Sequence, residues 1–240
     1  MALRAGLSLI LPVHSEQDQL VAALDALIPC LESLRPGILS DFEVLLVDNG
    51  STDATVAVAQ SQIETRSAVR LLKLESRGLG RAIREGIRQA RFDVAMFYSI
   101  DLPFGVDVVR QSLEALTAET GMVIGSKGHP DSRITRPLAR RCVSAALRGL
   151  LRFLFGIAVR DTQGSQLFRT APVRSRLDRI DSPGAFIQVQ LVLAVQRAGL
   201  GVVEIPVRFV DGRPSRMKVV TDGWDAFTDL VRERLRRDGV

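Results

Sequence analysis

Aromatic residues are scarce in this chain of 240 residues: ten Phe, one Trp and one Tyr make up 5% of it. Proteins that hold single-stranded nucleic acid stack bases on aromatic platforms, so the scarcity argues against a nucleic-acid partner even though the formal charge is +5. Cysteine is scarcer still. Cys30 and Cys142 stand in apolar, helix-like stretches, which sets aside a disulfide framework or a cysteine-rich zinc site and predicts two buried free thiols. His14 and His129 are too few for a histidine metal site. Long apolar runs are also missing: the best, Cys142 to Val159, is broken by Arg148 and Arg152. The short run Leu7 to Val13 has no small-residue cleavage site after it. A cytosolic chain that does not itself cross a bilayer is therefore expected.

Several motifs are absent too. There is no phosphate loop ending in Gly-Lys-Ser/Thr and no Gly-x-Ser-x-Gly elbow. Gly78 and Gly80 precede a helix, but a dinucleotide fingerprint needs a third glycine and a place after the first strand. P-loop NTPases, α/β-hydrolases and Rossmann dehydrogenases are thereby disfavoured. No linker rich in Gly, Ser or Pro divides the chain, so one domain over residues 1–240 is expected.

What is present is an alternation of strand and helix patterns. Apolar runs at Leu7–Val13, Phe42–Val47, Val69–Leu74, Val94–Tyr98 and Met122–Gly125 read as buried strands. Helical spacing follows the first four: through Leu31, from a cap at Ser51 or Thr52 to about Ile63, from Gly80 through Ala90, and over Val106–Leu116. The order predicts a mostly parallel sheet flanked by helices. Beyond it the pattern predicts helices at Leu138–Phe155, Phe186–Ala198 and Asp222–Arg236, a short strand at Leu167–Phe168 and another at Val202–Val210.

The corner Val47-Asp48-Asn49-Gly50-Ser51-Thr52-Asp53 joins a strand end to a helix start, where ligands of α/β sheets settle. Glu16, Asp48, Asn49, Asp53, Ser99 and Asp101 fall at successive strand ends and would collect at one mouth. There they can hold a base and ribose and share a divalent cation with a diphosphate, the needs of a nucleotide sugar. Asp48 and Asp53 also suit plain turn and cap duties.

Leu9-Ile10-Leu11-Pro12-Val13-His14-Ser15-Glu16 and the Asp48 corner resemble the opening motifs of family 2 glycosyltransferases. Gly78-Leu79-Gly80-Arg81-Ala82, Ser99-Ile100-Asp101-Leu102, Gly125-Ser126-Lys127, Asp161-Thr162-Gln163-Gly164-Ser165 and Glu204 to Asp211 follow in the order of the dolichol-phosphate mannose synthases and related polyprenyl-phosphate enzymes. The resemblance covers nearly the whole chain. It implies a GT-A fold, with a nucleotide-binding half over about 1–126 and an acceptor-side half over about 127–240. It also implies a sugar donor site built from Pro12, Glu16, Asp48, Asn49, Gly78, Gly80, Ser99 and Asp101. Asp101 matches the last Asp of the family's Asp-x-Asp motif and is the implied ligand of a Mg²⁺ or Mn²⁺ ion, while Ser99 replaces the first Asp and Pro103 a frequent metal-binding Gln. Asp101, Lys127 and Arg140 are the implied catalytic groups.

Gln166, Gln188 and Gln190 stand where relatives often carry charged groups, so no acidic base is evident. A neutral hydroxyl acceptor needs a base, whereas a polyprenyl phosphate is already an anion. The expectation is an inverting transfer from a nucleotide-diphosphate sugar to a polyprenyl phosphate, with the alternative of a catalytically degenerate GT-A module that binds a nucleotide, lipid or protein. Lys127, Arg133, Arg136, Arg140, Arg141, Arg213, Arg216 and Lys218 supply cations for the acceptor phosphate. Ala139 to Val159 is either a core helix or an interfacial one, with Leu147, Leu150, Leu151, Phe153 and Leu154 toward lipid and Arg148 and Arg152 toward head groups. A peripheral protein at the inner membrane face, serving the cell envelope, is the implied setting.

Overall fold

A computed structural model describes residues 5–35, 37–134, 138–209 and 230–234, of which 134, 138–143 and 209 are described by backbone alone. The chain runs β1 (Ala5–Val13), α1 (Gln17–Leu34), β2 (Leu39–Asp48), α2 (Thr55–Thr65), β3 (Val69–Lys73), α3 (Leu79–Gln89), β4 (Val94–Phe97), α4 (Asp107–Glu114) and β5 (Thr120–Ser126). It continues through β6 (Arg133–Ile134), α5 (Leu138–Phe155), β7 (Ser165–Arg169), α6 (Thr170–Arg174), α7 (Ile187–Arg197), β8 (Gly201–Pro206) and β9 (Arg208–Phe209).

Seven strands form one sheet in the order β3-β2-β1-β4-β7-β5-β8. Every pairing in it is parallel except those of β7, which lies antiparallel to both β4 and β5. The expected mostly parallel sheet is present, flanked on both faces. Alternate residues of each strand enter different cores because side chains point to opposite faces with period two. Leu7, Leu9 and Leu11 of β1 pack with Leu20, Leu24, Leu27 and Leu31 of α1 and Val108 and Leu113 of α4. Ile10 faces the other way, to Ile83 and Ile87 of α3 and the apolar side of α7. Each such buried Leu or Ile contributes roughly 1.5–3 kcal/mol.

Some expectations need correction. Neither Ser51 nor Thr52 caps α2, which begins at Thr55 with Ala54 at its N-cap, while Asp53 just before it accepts from the Thr55 N–H at 3.0 Å. The strand expected over Val202–Val210 breaks at Val207, since β9 leaves the main sheet to pair with β6. Cys30 is a free thiol but only half-buried; burial raises its pKa, Arg110 lowers it and Asp107 raises it. The side chain of Cys142 lies outside the described residues, as does most of the helix expected over Asp222–Arg236, of which 230–234 is helical.

Candidate donor and acceptor site

The sheet order decides which groups meet. At its carboxyl rim, going across the sheet, come Leu74 after β3, Asp48 and Asn49 ending β2, His14 after β1, Ser99 beyond β4, Ser165 opening β7, Lys127 after β5 and Val207 after β8. At a strand spacing of about 4.8 Å, two spacings put the Asp48 corner roughly 10 Å from Ser99, and Lys127 lies a similar step beyond.

The Asp48 corner is laced to the turn after β1. The Ser15 N–H donates to Ser51 Oγ at 2.9 Å, and the Thr52 N–H to Ser15 Oγ at 3.4 Å. The Gln17 N–H reaches Asp53 Oδ2 at 3.4 Å, while the Ala54 N–H donates to Gln17 Oε1 at 2.8 Å. The Glu16 N–H donates to Thr55 Oγ1 at 2.8 Å, and that hydroxyl donates to Asp53 Oδ1 at 2.5 Å. The Thr55 hydroxyl holds the Asp53 carboxyl below its usual pKa, helped by the N–H groups of Thr55 and Gln17. Asp53 is thus a clasp between two turns.

Asp48 is buried and accepts from the Ser51 N–H at 3.1 Å, a turn duty that occupies only its Oδ1 among the described residues. Asn49 is equally buried. Its N–H donates to the Val13 carbonyl at 2.8 Å, and its Oδ1 accepts from the Gly78 N–H at 2.5 Å, which ties the approach of α3 to the rim. Pro12 is half-buried and in register with Val47, and Glu16 is half-buried at the start of α1. Gly80 lets α3 touch another segment: its N–H donates to the Pro183 carbonyl at 2.9 Å, and a Cβ there would lie 1.9 Å from the Ser182 carbonyl oxygen.

Ser99 and Asp101 are both exposed in the turn after β4. Beneath them Tyr98 is fixed, donating from its hydroxyl to the Gly105 carbonyl and accepting from the Phe104 N–H, both at 2.9 Å. Burial raises the Tyr98 pKa far above its usual value, so it stays protonated. Among the described residues no three His, Cys, Asp or Glu side chains gather as a metal cluster. Asp101 is the carboxylate of the Ser99–Asp101 turn.

Lys127 lies across the rim from Asp101. Its ammonium donates to the Gln163 carbonyl at 2.9 Å, sits 3.7 Å from Asp161 Oδ2 and stands 5.6 Å from the centre of the Phe104 ring. Glu204 anchors the same loop by accepting from the N–H groups of Arg160 and Asp161. Arg133 is exposed on β6 and directly partners Arg208 of β9, a residue with no prominence in the sequence beyond its motif. Only the pairing of two-residue strands brings these cations together. The side chains of Arg140 and Arg141, together with Arg136, Arg213, Arg216 and Lys218, lie outside the described residues.

The three glutamines divide. Gln166 is fully buried and donates to the carbonyls of Thr162 and Gln188, and Gln190 donates to Arg179, Asp181 and Glu233. Gln188 instead borders a hollow of about 140 Å³ that Ser99, Pro103, Phe104, Lys127, Gln163 and Ser165 help to line. A larger hollow of about 250 Å³ lies at the opposite rim, around Arg35, Glu43 and Arg91, away from all these groups.

The sequence pattern of glycosyl transferase family 2 matches residues 8–169, more than half of the chain. The dolichyl-phosphate beta-glucosyltransferase of Drosophila melanogaster is 31% identical over 220 residues, covering 85% of this chain and 67% of that protein. The undecaprenyl-phosphate mannosyltransferase of Micrococcus luteus is 29% identical over 210 residues, covering 84% and 82%. The fold is shared with glucosyl-3-phosphoglycerate synthase of Mycobacterium tuberculosis, crystallised with Mn²⁺ and UDP-glucose, at a TM-score of 0.68, 18% identity and coverage of 96% of this chain and 79% of that one.

Proposed function

The chain belongs to glycosyl transferase family 2, and on that premise we propose that it is an inverting GT-A enzyme moving a sugar from a nucleotide-diphosphate donor to a polyprenyl phosphate. The observation that carries this reading is the order of groups along one rim: a polar corner at Asp48, the Ser99–Asp101 turn two strands on, and cations beyond it. Relatives named for dolichyl and undecaprenyl phosphates support the acceptor class.

Pro12, Glu16, Asp48 and Asn49 hold the nucleoside, with Gly78 acting through its bond to Asn49 and Gly80 by closing α3 onto the Ser182–Pro183 segment. Ser99 and Asp101 meet the diphosphate. A single carboxylate suits Mg²⁺ or Mn²⁺ arriving on the donor, because such ions keep water and take one or two carboxylates plus substrate phosphates. Asp101 would hold the ion, which would offset charge on the departing diphosphate.

The acceptor's phosphate oxygen attacks C1 from the face opposite the diphosphate. The new C–O bond forms as the bond to the leaving oxygen breaks, inverting the centre. No proton has to be removed from an anionic acceptor, and among the described residues no Asp or Glu borders the hollow beside Ser99. Lys127, Arg133, Arg208 and Arg140 attract the acceptor phosphate, joined by Arg213, Arg216 and Lys218 of the late loop.

Residues 1–240 act as one domain, the donor half ending near 126. No helix among the described residues is long and apolar enough to cross a membrane. The acceptor's tail stays in the bilayer, and one side of α5 suits the contact: Phe153 is 86% exposed, Leu150 38%, with Arg148 and Arg152 beside them and no acid in the helix, whereas Leu151, expected toward lipid, is buried and Leu147 and Leu154 pack against the core. The enzyme works at the cytoplasmic face as a peripheral protein. The test is incubation of purified protein with radiolabelled nucleotide sugars and undecaprenyl-phosphate vesicles, with and without Mn²⁺. Labelled lipid is expected from one donor class, and none from any donor or cation sinks the proposal.

A further inference from the structure

We infer that Glu204 is the positioning residue of Lys127: acting through Asp161 and touching no substrate itself, it aims the ammonium at the acceptor phosphate. This rests on the acceptor class proposed above and goes beyond it by naming what holds the cation in place.

The chain of contacts begins on β8. Glu204 is in register with Ile124 near the end of β5, the strand that leads into Lys127. Its two carboxylate oxygens accept from successive N–H groups, Oε2 from Arg160 at 2.9 Å and Oε1 from Asp161 at 3.1 Å. Bonds to an ionised acceptor are roughly twice as strong as neutral ones, so this pair fixes the place of the backbone at 160–161.

Asp161 passes that placement on. Its Oδ1 accepts from the Gln163 N–H and its Oδ2 from the Lys127 N–H, both at 2.9 Å. The Lys127 ammonium donates to the Gln163 carbonyl at 2.9 Å and lies 3.7 Å from Asp161 Oδ2. Gln163 and Asp161 belong to the stretch that Glu204 secures, so moving that stretch moves the charge. The Lys127 and Asp161 side chains are 16% and 12% exposed, and salt screens such a pair far less than a surface one. Lysine carries its charge on a flexible stem, and it meets a phosphate productively only where the surroundings orient it. Two glycines let the segments lie this close. A Cβ on Gly128 would stand 2.7 Å from Arg160 Cβ, and one on Gly164 only 1.9 Å from the Gly125 carbonyl oxygen.

The experiment follows transfer from a radiolabelled nucleotide sugar to undecaprenyl phosphate in vesicles, with melting temperatures alongside. Wild type is compared with Glu204→Ala, Glu204→Gln, Lys127→Ala and each Glu204 variant combined with Lys127→Ala. Glu204→Ala should raise the KM for undecaprenyl phosphate roughly 3- to 10-fold and leave that for the nucleotide sugar within about 2-fold. Glu204→Gln keeps one accepting oxygen and should fall between. With Lys127→Ala already in place, neither Glu204 change should raise the acceptor KM further, because residues that act through one another are not additive. A purely structural loss would add in full. Calorimetry with farnesyl phosphate gives the same comparison for a variant that turns over too slowly, and Glu204→Gln carries it if Glu204→Ala does not fold. Wild-type acceptor KM in the Glu204 variants, equal rises for donor and acceptor, or an undiminished effect without Lys127 would each overturn the inference while the acceptor class stands. If the wild type makes no labelled lipid, the proposed function and this inference fall together.

Discussion

A single amide oxygen decides whether the Gly78 N–H has a partner, since Asn49 Oδ1 accepts from it at 2.5 Å. Asn49→Ala should therefore lower stability by about 1–3 kcal/mol, read by chemical denaturation. Asn49→Asp keeps an acceptor at that position and should lose much less. Equal losses in the two variants would show that the bond to Gly78 is not what Asn49 contributes. Asp53 makes a pH-dependent prediction. Its folded pKa is depressed, chiefly by the Thr55 hydroxyl, so its contribution is complete above the ordinary value of 3.8 and disappears as pH falls through the lower folded value. NMR titration should find Asp53 below 3.8 in the wild type and nearer to it in Thr55→Val, with Thr55→Ser in between or unchanged. An Asp53 titration unmoved by Thr55→Val would remove the hydroxyl as cause.

Among the elements, α5 offers a test of membrane contact that leaves folding alone. Phe153 is 86% exposed, so Phe153→Asp should shift stability by less than about 0.5 kcal/mol. Together with Arg152→Glu it should abolish most co-sedimentation with anionic vesicles, and unchanged sedimentation would exclude this face. The sequence made the parallel units legible because a strand buried on both faces is a continuous apolar run, and the helices after β1 to β4 keep a 3.6-residue apolar period. It did not show β6, the break at Val207 that parts β9 from β8, or the Arg133–Arg208 pair, because two-residue strands carry no periodicity and their pairing spans distant segments. The start of α2 lies later than its cap-like residues suggest, for a local reason. Ser51 and Thr52 look like caps, but they bond across to the turn after β1.

Across the whole molecule, residues 230–234 return to the far side of the sheet. Leu230 joins the core with α3 and α7, and Glu233, nearly buried, pairs with Arg197 at 3.0 Å and accepts from Gln190 at 3.2 Å. Gln190 also accepts from the Ser182 N–H, beside the segment that Gly80 touches. Glu233→Ala should cost about 1–3 kcal/mol and weaken nucleotide binding as α3 loosens. Calorimetry showing wild-type nucleotide affinity in a destabilised Glu233→Ala protein would confine Glu233 to stability.

The reversed strand β7 has a consequence for how such enzymes diverge. Elsewhere on the rim strands end, but at Ser165 one begins, so the loop of residues 156–164 feeds into the rim from the opposite direction. Residues gained or lost in that loop would reshape the neighbourhood of the hollow without shifting the register of β1, β2 and β4. A lineage can thus remodel that end of the rim through insertions ahead of β7 while the strands beside the Asp48 corner keep their places.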